Sequence, residues 1–256
     1  MEQTALVAAA EAAADVAAAV VRPFFRAGVA ADLKDDRSPV TIADRSAEQA
    51  MRAVLAQRFP EHGILGEEFG LERGGARYRW VLDPVDGTRA FITGRPTFGT
   101  LIGLLDEGRP VLGVLDQPIS GERWVGQAGE RTRFTGGAGR AGCRPCAGLG
   151  EAELSCTAPE IFDAPQWVRW QRLQAAVRRT SWGGDCYAYG LLALGGIDVI
   201  AEAGLKVWDW AALVPIIEGA GGRMVGWDGT RLREGDGAVL AVGDAGLLEM
   251  AMECLA

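Results

Sequence analysis

The segment at residues 80–88 constrains the fold of this chain more than any other. Its first three residues are apolar and resemble a strand, and two aspartates, Asp83 and Asp86, follow three positions apart. Pro84 fixes the backbone of the turn between them. In such an extended turn the two carboxylates can converge on one cation. The segment therefore predicts a strand whose end carries a candidate metal site.

Three neighbouring residues extend this candidate site. The carbonyl oxygen of Val85 can add a third ligand, and hard oxygen ligands of this kind suit Mg²⁺, which accepts one or two carboxylates together with water and a substrate phosphate. Gly87 and Thr88 are typical of the start of a helix, where backbone N–H groups can bind phosphate. Taken alone, the motif also fits a structural turn with a helix cap.

Composition restricts the class of protein. The chain has 256 residues, of which 48% are hydrophobic and 23% are charged, enough for a packed interior in one large domain or in two that share an interface. Collagen-like, mucin-like and globally disordered proteins are excluded. The formal charge of −8 and the lack of a basic block disfavour binding to nucleic acid or to a membrane surface. An acidic protein can still bind a phosphorylated substrate through divalent cations.

The N-terminal residues and the cysteines predict a cytoplasmic location. Glu2, Glu11 and Asp15 interrupt the alanine-rich start and no basic segment precedes it, so a signal peptide is not expected. We also expect no apolar stretch long enough to span a bilayer. The five cysteines form no dense disulfide framework. Cys143 and Cys146 have CxxC spacing without a second pair, which disfavours a zinc site.

The hydrophobic pattern divides the chain into two halves. Helices are predicted over residues 4–26 and 45–59. Strand-like runs of a mostly antiparallel sheet follow at 64–65, 80–82, 100–105, 111–115 and 123–125. A Gly-rich and Ala-rich span at 135–150 is the candidate boundary. Beyond it the pattern predicts helices at 165–177, 186–194, 210–219 and 246–255, and strands at 199–201, 224–225 and 239–242. We therefore expect an α+β metal-binding half at 1–140 and an α/β half at 141–256 that completes the active site.

Two further motifs accompany the aspartate turn. Glu67 and Glu68 follow Gly66 after a short apolar run, and Asp209 follows Trp208 at a predicted helix start. Adjacent glutamates are usually a solvated loop, and aspartate is a common helix cap, so each motif is weak alone. The three motifs in this order resemble the inositol monophosphatase superfamily of metal-dependent phosphatases. The glycine-rich helix end at 218–222 and the loop at 38–44 also match the family pattern, so the resemblance covers nearly the whole chain.

This resemblance implies a fold and a set of site residues. The fold is α/β (α+β), a five-layer αβαβα sandwich of the inositol monophosphatase/fructose-1,6-bisphosphatase type, with the site between the halves and a homodimer as the assembly. Two or three Mg²⁺ ions are implied as cofactors. Their implied ligands are Glu67, Asp83, Asp86, Asp209 and the carbonyl of Val85.

The resemblance also implies catalytic and phosphate-binding roles. Asp44 and Thr88 resemble the pair that positions and deprotonates the attacking water, with Glu67 as a further catalytic residue. Asp86, Gly87 and Thr88 are implied to bind the substrate phosphate. No covalent intermediate is needed, since metal ions can ionise the water and hold the leaving alkoxide. His62, the one histidine of the sequence, is interpreted as a residue that packs a turn.

Substrate choice is predicted from the second half of the chain. Asp185 and Glu202 are expected to bind the substrate and would favour a small cationic phosphate ester. The segments 63–70, 94–96, 98–101, 116–118, 184–187 and 211–218 resemble the histidinol-phosphate phosphatase branch of the superfamily. That branch removes phosphate from L-histidinol phosphate in histidine biosynthesis.

Several alternatives remain open at this point. Asp185 could cap a helix in an inositol monophosphatase or a broad sugar phosphatase. A nucleotide 3'-phosphatase of the same superfamily would need basic residues for a second phosphate, and Lys206 is the nearby candidate. A third alternative is a regulatory protein with the phosphatase fold that acts through protein or RNA contacts, although the complete set of acidic ligands and the lack of a basic patch argue against it.

Overall fold

The structure is a computed structural model that describes residues 2–28, 31–33 and 39–256. The described residues leave out most of the predicted loop at 34–39. They also leave out residue 38, the first of the segment 38–44 that matches the family pattern. The helices are α1 (Glu2–Val21), α2 (Ile42–Arg58), α3 (Thr88–Ile92), α4 (Ala164–Ala176), α5 (Asp185–Leu192), α6 (Val207–Trp210), α7 (Leu213–Gly219) and α8 (Leu247–Leu255).

The strands form one large sheet, one smaller sheet and a short ribbon. They are β1 (Ala31–Leu33), β2 (Pro39–Thr41), β3 (Gly63–Gly66), β4 (Gly70–Glu72), β5 (Tyr78–Asp86), β6 (Gly99–Asp106), β7 (Arg109–Gln117), β8 (Glu122–Gln127), β9 (Arg133–Thr135), β10 (Glu153–Cys156), β11 (Arg179–Trp182), β12 (Val199–Glu202), β13 (Arg223–Gly226) and β14 (Val239–Val242).

The large sheet has the strand order β4-β3-β5-β6-β7-β8-β9. Its neighbouring strands are antiparallel except for β3 and β5, which run parallel. The prediction of a mostly antiparallel first sheet is confirmed. The smaller sheet has the order β11-β10-β12-β14-β13, with β10 parallel to both of its neighbours.

Helices cover both sheets and separate them, giving five layers. α1 and α2 pack on one face of the large sheet, where Ala13, Met51 and Trp80 are buried together. α5, α6 and α7 fill the space between the sheets. α4 and α8 cover the outer face of the smaller sheet, around Trp170 and Leu247. The predicted α/β sandwich is confirmed, whereas the division into domains at residue 140 stays a prediction.

Two expectations about helices are wrong. Residues 3–24 are long and apolar enough to cross a membrane by length and composition, although no such stretch was expected. Ala9, Ala13 and Ala17 of this segment are fully buried against α2 and the large sheet, which is the packing of a core helix. The single helix expected at 210–219 is two short helices, α6 and α7, and α6 already begins at Val207.

A row of glycines lets the middle helices lie directly on the large sheet. Gly103, Gly113 and Gly126 are cross-strand neighbours on β6, β7 and β8. A Cβ atom on Gly113 would lie 1.8 Å from the carbonyl oxygen of Ala212, and one on Gly126 would lie 2.4 Å from the amide of Ile216. The backbone of residues 211–216, which directly follows α6, therefore touches the sheet.

Candidate active site

An acidic cluster lies where β5 meets α6. Carboxylate oxygens of Asp83, Asp86 and Asp209 lie within 4.8 Å of one another. A regular strand would point residues 83 and 86 to opposite faces, because side chains alternate. The pairing of β5 with β6 shifts register between these two residues, and such an irregularity re-aims side chains. The irregularity of β5 thus brings both aspartates toward Asp209.

The carboxylates of the cluster repel one another, and their burial makes the charged forms still less favourable. Burial, and then the charges of Glu67 and Asp86, raise the pKa of Asp83 well above its ordinary value. Burial and the charge of Asp209 do the same to the pKa of Asp86. Burial raises the pKa of Asp209 to about 7, against a hydrogen bond from the Lys206 amide. Three crowded carboxylates with only oxygen donors match a hard divalent cation such as Mg²⁺.

The Val85 backbone and the Thr88 side chain lie beside this cluster. The Val85 amide donates to Asp83 Oδ1 (3.0 Å), and the Val85 carbonyl accepts from the Thr88 hydroxyl (3.2 Å). Thr88 Oγ1 also lies 3.5 Å from Asp44 Oδ1. The structure therefore brings Asp44, Val85 and Thr88 together beside the aspartate cluster, and the roles expected of them stay a prediction.

Asp44 is held in place by the start of α2. Its Oδ2 accepts hydrogen bonds from the Thr41 amide (2.9 Å) and the Thr41 hydroxyl (2.5 Å) in a capping box. This leaves Oδ1 toward Thr88. Burial raises the pKa of Asp44, while the bonds from Thr41 oppose that rise. The capping box thus fixes the orientation of one buried carboxylate.

The start of α3 lies against Asp185. Gly87 is the N-cap residue in a left-handed conformation (φ 84°), without a side-chain cap, which glycine adopts at low cost. A Cβ atom there would lie 2.9 Å from Cβ and Cγ of Asp185. Both constraints explain why glycine occupies this position.

Asp185 itself has an unusual backbone. It adopts φ 43°, in the left-handed region where non-glycine residues are uncommon. Its Oδ2 accepts a hydrogen bond from the Thr97 hydroxyl (3.4 Å), and within the described part of the chain no side chain caps α5. Burial and the charge of Glu202 raise the pKa of Asp185 to about 6, although Arg95 opposes the rise. The carboxylate is directed at the start of α3 rather than along its own helix.

Asp185 and Glu202 line a common cavity of about 190 Å³ beside the cluster, together with Asp86, Tyr189, Asp209 and Leu213. Glu202 is only 5% exposed. Its two oxygens accept hydrogen bonds from the Thr157 amide (2.6 Å) and the Tyr189 hydroxyl (2.9 Å), and burial raises its pKa. The cavity therefore joins the acidic cluster to two further carboxylates.

Glu48 and Arg52 are residues at this site that the sequence reasoning missed. Glu48 is fully buried and accepts hydrogen bonds from the amides of Glu68 and Phe69, next to Glu67. The available signal was the spacing of Asp44, Glu48 and Arg52, which places three charged residues on one stripe of a helix beside its apolar face. In the described residues, the aspartate cluster is the one group of metal-ligating side chains that lie together, and Cys143 and Cys146 are not part of it.

Comparisons with known proteins agree with this geometry. The chain matches the inositol monophosphatase family over residues 2–255. It is 45% identical over 252 residues to the bifunctional phosphatase IMPL2 of Arabidopsis thaliana, covering 94% of this chain and 72% of that protein. It is 37% identical over 220 residues to a histidinol-phosphatase of Mycobacterium tuberculosis, covering 83% of each.

A solved structure is similar over nearly the full length. It is an inositol monophosphatase from Zymomonas mobilis, 51% identical, with a TM-score of 0.89 and coverage of 97% of this chain and 96% of that one. The sequence match, the shared fold and the acidic cluster agree, and the protein is a phosphatase that belongs to the inositol monophosphatase family.

Proposed function

We propose that this enzyme hydrolyses L-histidinol phosphate to L-histidinol with Mg²⁺ as its cofactor. The observation that carries the proposal is the pair Asp185 and Glu202 in the cavity next to the aspartate cluster. The substrate bears an amine and an imidazole beyond its phosphate, and a cationic group near buried carboxylates gains charge-assisted hydrogen bonds. The relative from M. tuberculosis that is named a histidinol-phosphatase supports the same substrate.

We assign the metal ligands to the acidic cluster. Asp83, Asp86 and Asp209 would hold Mg²⁺ with Glu67 and the Val85 carbonyl, in a site for two or three ions. When bound, Mg²⁺ activates water and neutralises charge on the phosphoryl oxygens. The start of α3, at Gly87 and Thr88, would orient the phosphate with its backbone N–H groups.

Asp44 and Thr88 are proposed to position and deprotonate the attacking water. The Thr88 hydroxyl lies between the Val85 carbonyl (3.2 Å) and Asp44 Oδ1 (3.5 Å). When it donates to Asp44, its oxygen can accept a proton from water while its own proton moves to the carboxylate. Burial raises the pKa of Asp44, which makes it a better proton acceptor than an exposed aspartate. The bonds from Thr41 keep this carboxylate from rotating away.

A second candidate substrate is inositol 1-phosphate. The Z. mobilis relative of known structure is named an inositol monophosphatase. Both oxygens of Glu202 already accept hydrogen bonds from Thr157 and Tyr189, which leaves less capacity for a cationic ligand. We also propose that the enzyme is a homodimer and that it is located in the cytoplasm.

The experiment is a comparison of kcat/KM for L-histidinol phosphate, myo-inositol 1-phosphate and adenosine 3',5'-bisphosphate on one preparation with Mg²⁺. We expect histidinol phosphate to lead by about a hundredfold, or roughly 3 kcal/mol of transition-state discrimination. If inositol phosphate equals or exceeds it, the substrate assignment fails while the phosphatase assignment stands.

Asp185→Ala tests the recognition role directly. Removing the carboxylate should raise KM for L-histidinol phosphate by about tenfold or more, because a charge-assisted contact is lost. Glycerol phosphate, which has no cationic group, is the internal control, and its KM should change by less than about threefold. Equal effects on both substrates would remove Asp185 from substrate recognition.

A further inference from the structure

The carboxylate of Glu48 lies directly beneath the turn that carries Glu67. Its Oε2 accepts a hydrogen bond from the Glu68 amide (2.7 Å) and its Oε1 one from the Phe69 amide (3.2 Å). A Cβ atom on Gly66 would lie 1.9 Å from Oε1. The backbone on both sides of Glu67 therefore rests on this one carboxylate, and only glycine fits at the start of the turn.

The same turn is anchored on its other side to β5. The Glu67 amide donates to the carbonyl of Leu82 (3.1 Å), the residue that precedes Asp83. Glu67 is thus held between α2, through Glu48, and the strand that carries the aspartate cluster. Its charge acts on both Asp83 and Asp209.

Arg52 neutralises Glu48 and extends the contact to β4. Its Nε donates to Glu48 Oε1 (2.8 Å), while its two terminal nitrogens donate to Glu72 (2.9 Å) and to the carbonyl of Gly70 (2.5 Å). The Arg52 side chain is 9% exposed and that of Glu48 is 0% exposed. A buried charge pair with such complete hydrogen bonding holds a defined geometry.

We propose that Glu48 is a positioning residue for metal binding, which holds the 66–69 turn so that the Glu67 carboxylate faces the aspartate cluster. This inference rests on the proposed role of Glu67 as a Mg²⁺ ligand. Glu48 lies one helical turn after Asp44, so α2 orients both the proposed proton acceptor and the turn of a metal ligand. Partners that orient ligands typically alter metal affinity by about 10- to 100-fold when they are mutated.

Glu48→Gln is the test variant, because it keeps the shape of the side chain. Every group around the carboxylate is a donor, so the new NH₂ must face either the Glu68 amide or the Phe69 amide and Arg52. We expect the Kd of Mg²⁺, measured by calorimetry on metal-stripped protein without substrate, to rise about 10- to 100-fold.

Asp198→Asn is the matched control. Asp198 is another buried carboxylate that pairs with an arginine, Arg144, and accepts a backbone hydrogen bond, from the Glu153 amide (2.8 Å). It precedes β12, at the end of that strand opposite Glu202. We expect this variant to lower the melting temperature while the Kd of Mg²⁺ stays within about threefold of wild type.

The outcomes separate the two proposals. Wild-type affinity in folded Glu48→Gln, or an equal loss of affinity in Asp198→Asn, would overturn the positioning role. If the Gln variant does not fold, Glu48→Asp carries the same test, since it keeps the charge for Arg52 but is too short to reach both amides. A wild-type protein that binds no Mg²⁺ would instead overturn the metal site itself, and this inference with it.

Discussion

Among the clustered aspartates, Asp209 alone comes from the middle helix layer. Its Oδ2 accepts the Lys206 amide (2.6 Å), so Asp209→Asn can keep this hydrogen bond while losing the charge. We expect Mg²⁺ affinity to fall at least about tenfold and kcat to fall with it, because the charge of a proposed ligand is removed at constant shape. Calorimetry and phosphate release measure the two effects.

The control for this substitution is Asp236→Asn. Asp236 Oδ2 accepts the Arg233 amide (2.7 Å) with the same sequence spacing, but Asp236 is not part of the acidic cluster. Asp236→Asn should therefore leave Mg²⁺ affinity and kcat unchanged. Retained activity of Asp209→Asn at low Mg²⁺ would contradict the ligand assignment.

The candidate site residues that belong to recognisable motifs could be named from the sequence, whereas Glu48, which lies outside those motifs, could not. Asp83 and Asp86 lie three positions apart at the irregular end of one strand, β5, so a short stretch of sequence was enough to suggest that their carboxylates converge. Glu48 contacts amides 20 and 21 positions away, and only the packing of α2 against the 66–69 turn reveals its partners. The helix-cap alternative for Asp185 also needed the structure, because its left-handed backbone directs the carboxylate away from α5.

At the scale of elements, the contact between the glycine row and the middle helices suggests a prediction for Gly113→Ala. The added methyl would overlap the backbone of Ala212, and overpacking of this kind costs about 1–3 kcal/mol or more. Because Ala212 lies three residues after Asp209, we expect its displacement to shift α6 and Asp209, so that Mg²⁺ affinity falls together with the melting temperature.

Gly150→Ala is the control for this prediction, because a Cβ atom at Gly150 meets no other atom within 4 Å. It should change neither the melting temperature nor the Mg²⁺ affinity. The idea that the glycine row sets the position of α6 would be wrong if Gly113→Ala lowered stability and left metal affinity intact.

Element type was predicted well where the hydrophobic pattern was clear, and poorly where short strands contain many polar residues. α2, α4 and α8 match their predicted segments closely, whereas α1 ends at Val21, before the predicted end at residue 26. β10 and β11 were not predicted, because half or more of their residues are polar and only pairing in the smaller sheet defines them. β12 and β14 have the same length but are more apolar, and they were predicted. β5 continues through Pro84 to Asp86, since a proline is tolerated where the register shifts.

At the scale of the whole molecule, the site is shared between layers. Asp83 and Asp86 come from the large sheet, Asp209 and Asp185 from the middle helices, and Glu202 from the smaller sheet. Neither sheet alone holds the full set of carboxylates. The acidic groups therefore repel one another across the interface of the two sheets, and a divalent cation would hold the layers together.

This arrangement gives a prediction about stability and pH. In the metal-free protein the pKa of Asp83, Asp86 and Asp209 is raised, that of Asp209 from the ordinary 3.8 to about 7. Between these values the folded state binds more protons than the unfolded chain, so the free energy of unfolding falls as the pH rises. The melting temperature of metal-free protein should therefore be higher at pH 5.5 than at pH 8.

Mg²⁺ should reverse this trend, because in the proposed site it binds the ionised carboxylates that protons would otherwise occupy. At a concentration a hundredfold above its Kd at pH 8, Mg²⁺ adds about 2.7 kcal/mol, or roughly 5–10 °C for a chain of this size. The same Mg²⁺ concentration should add less at pH 5.5, where the carboxylates are protonated. This gain is the difference in melting temperature between protein with Mg²⁺ and protein with EDTA, with KCl added to match the ionic strength. A Mg²⁺ gain that is the same at both pH values would show that the buried aspartates are not where the ion binds.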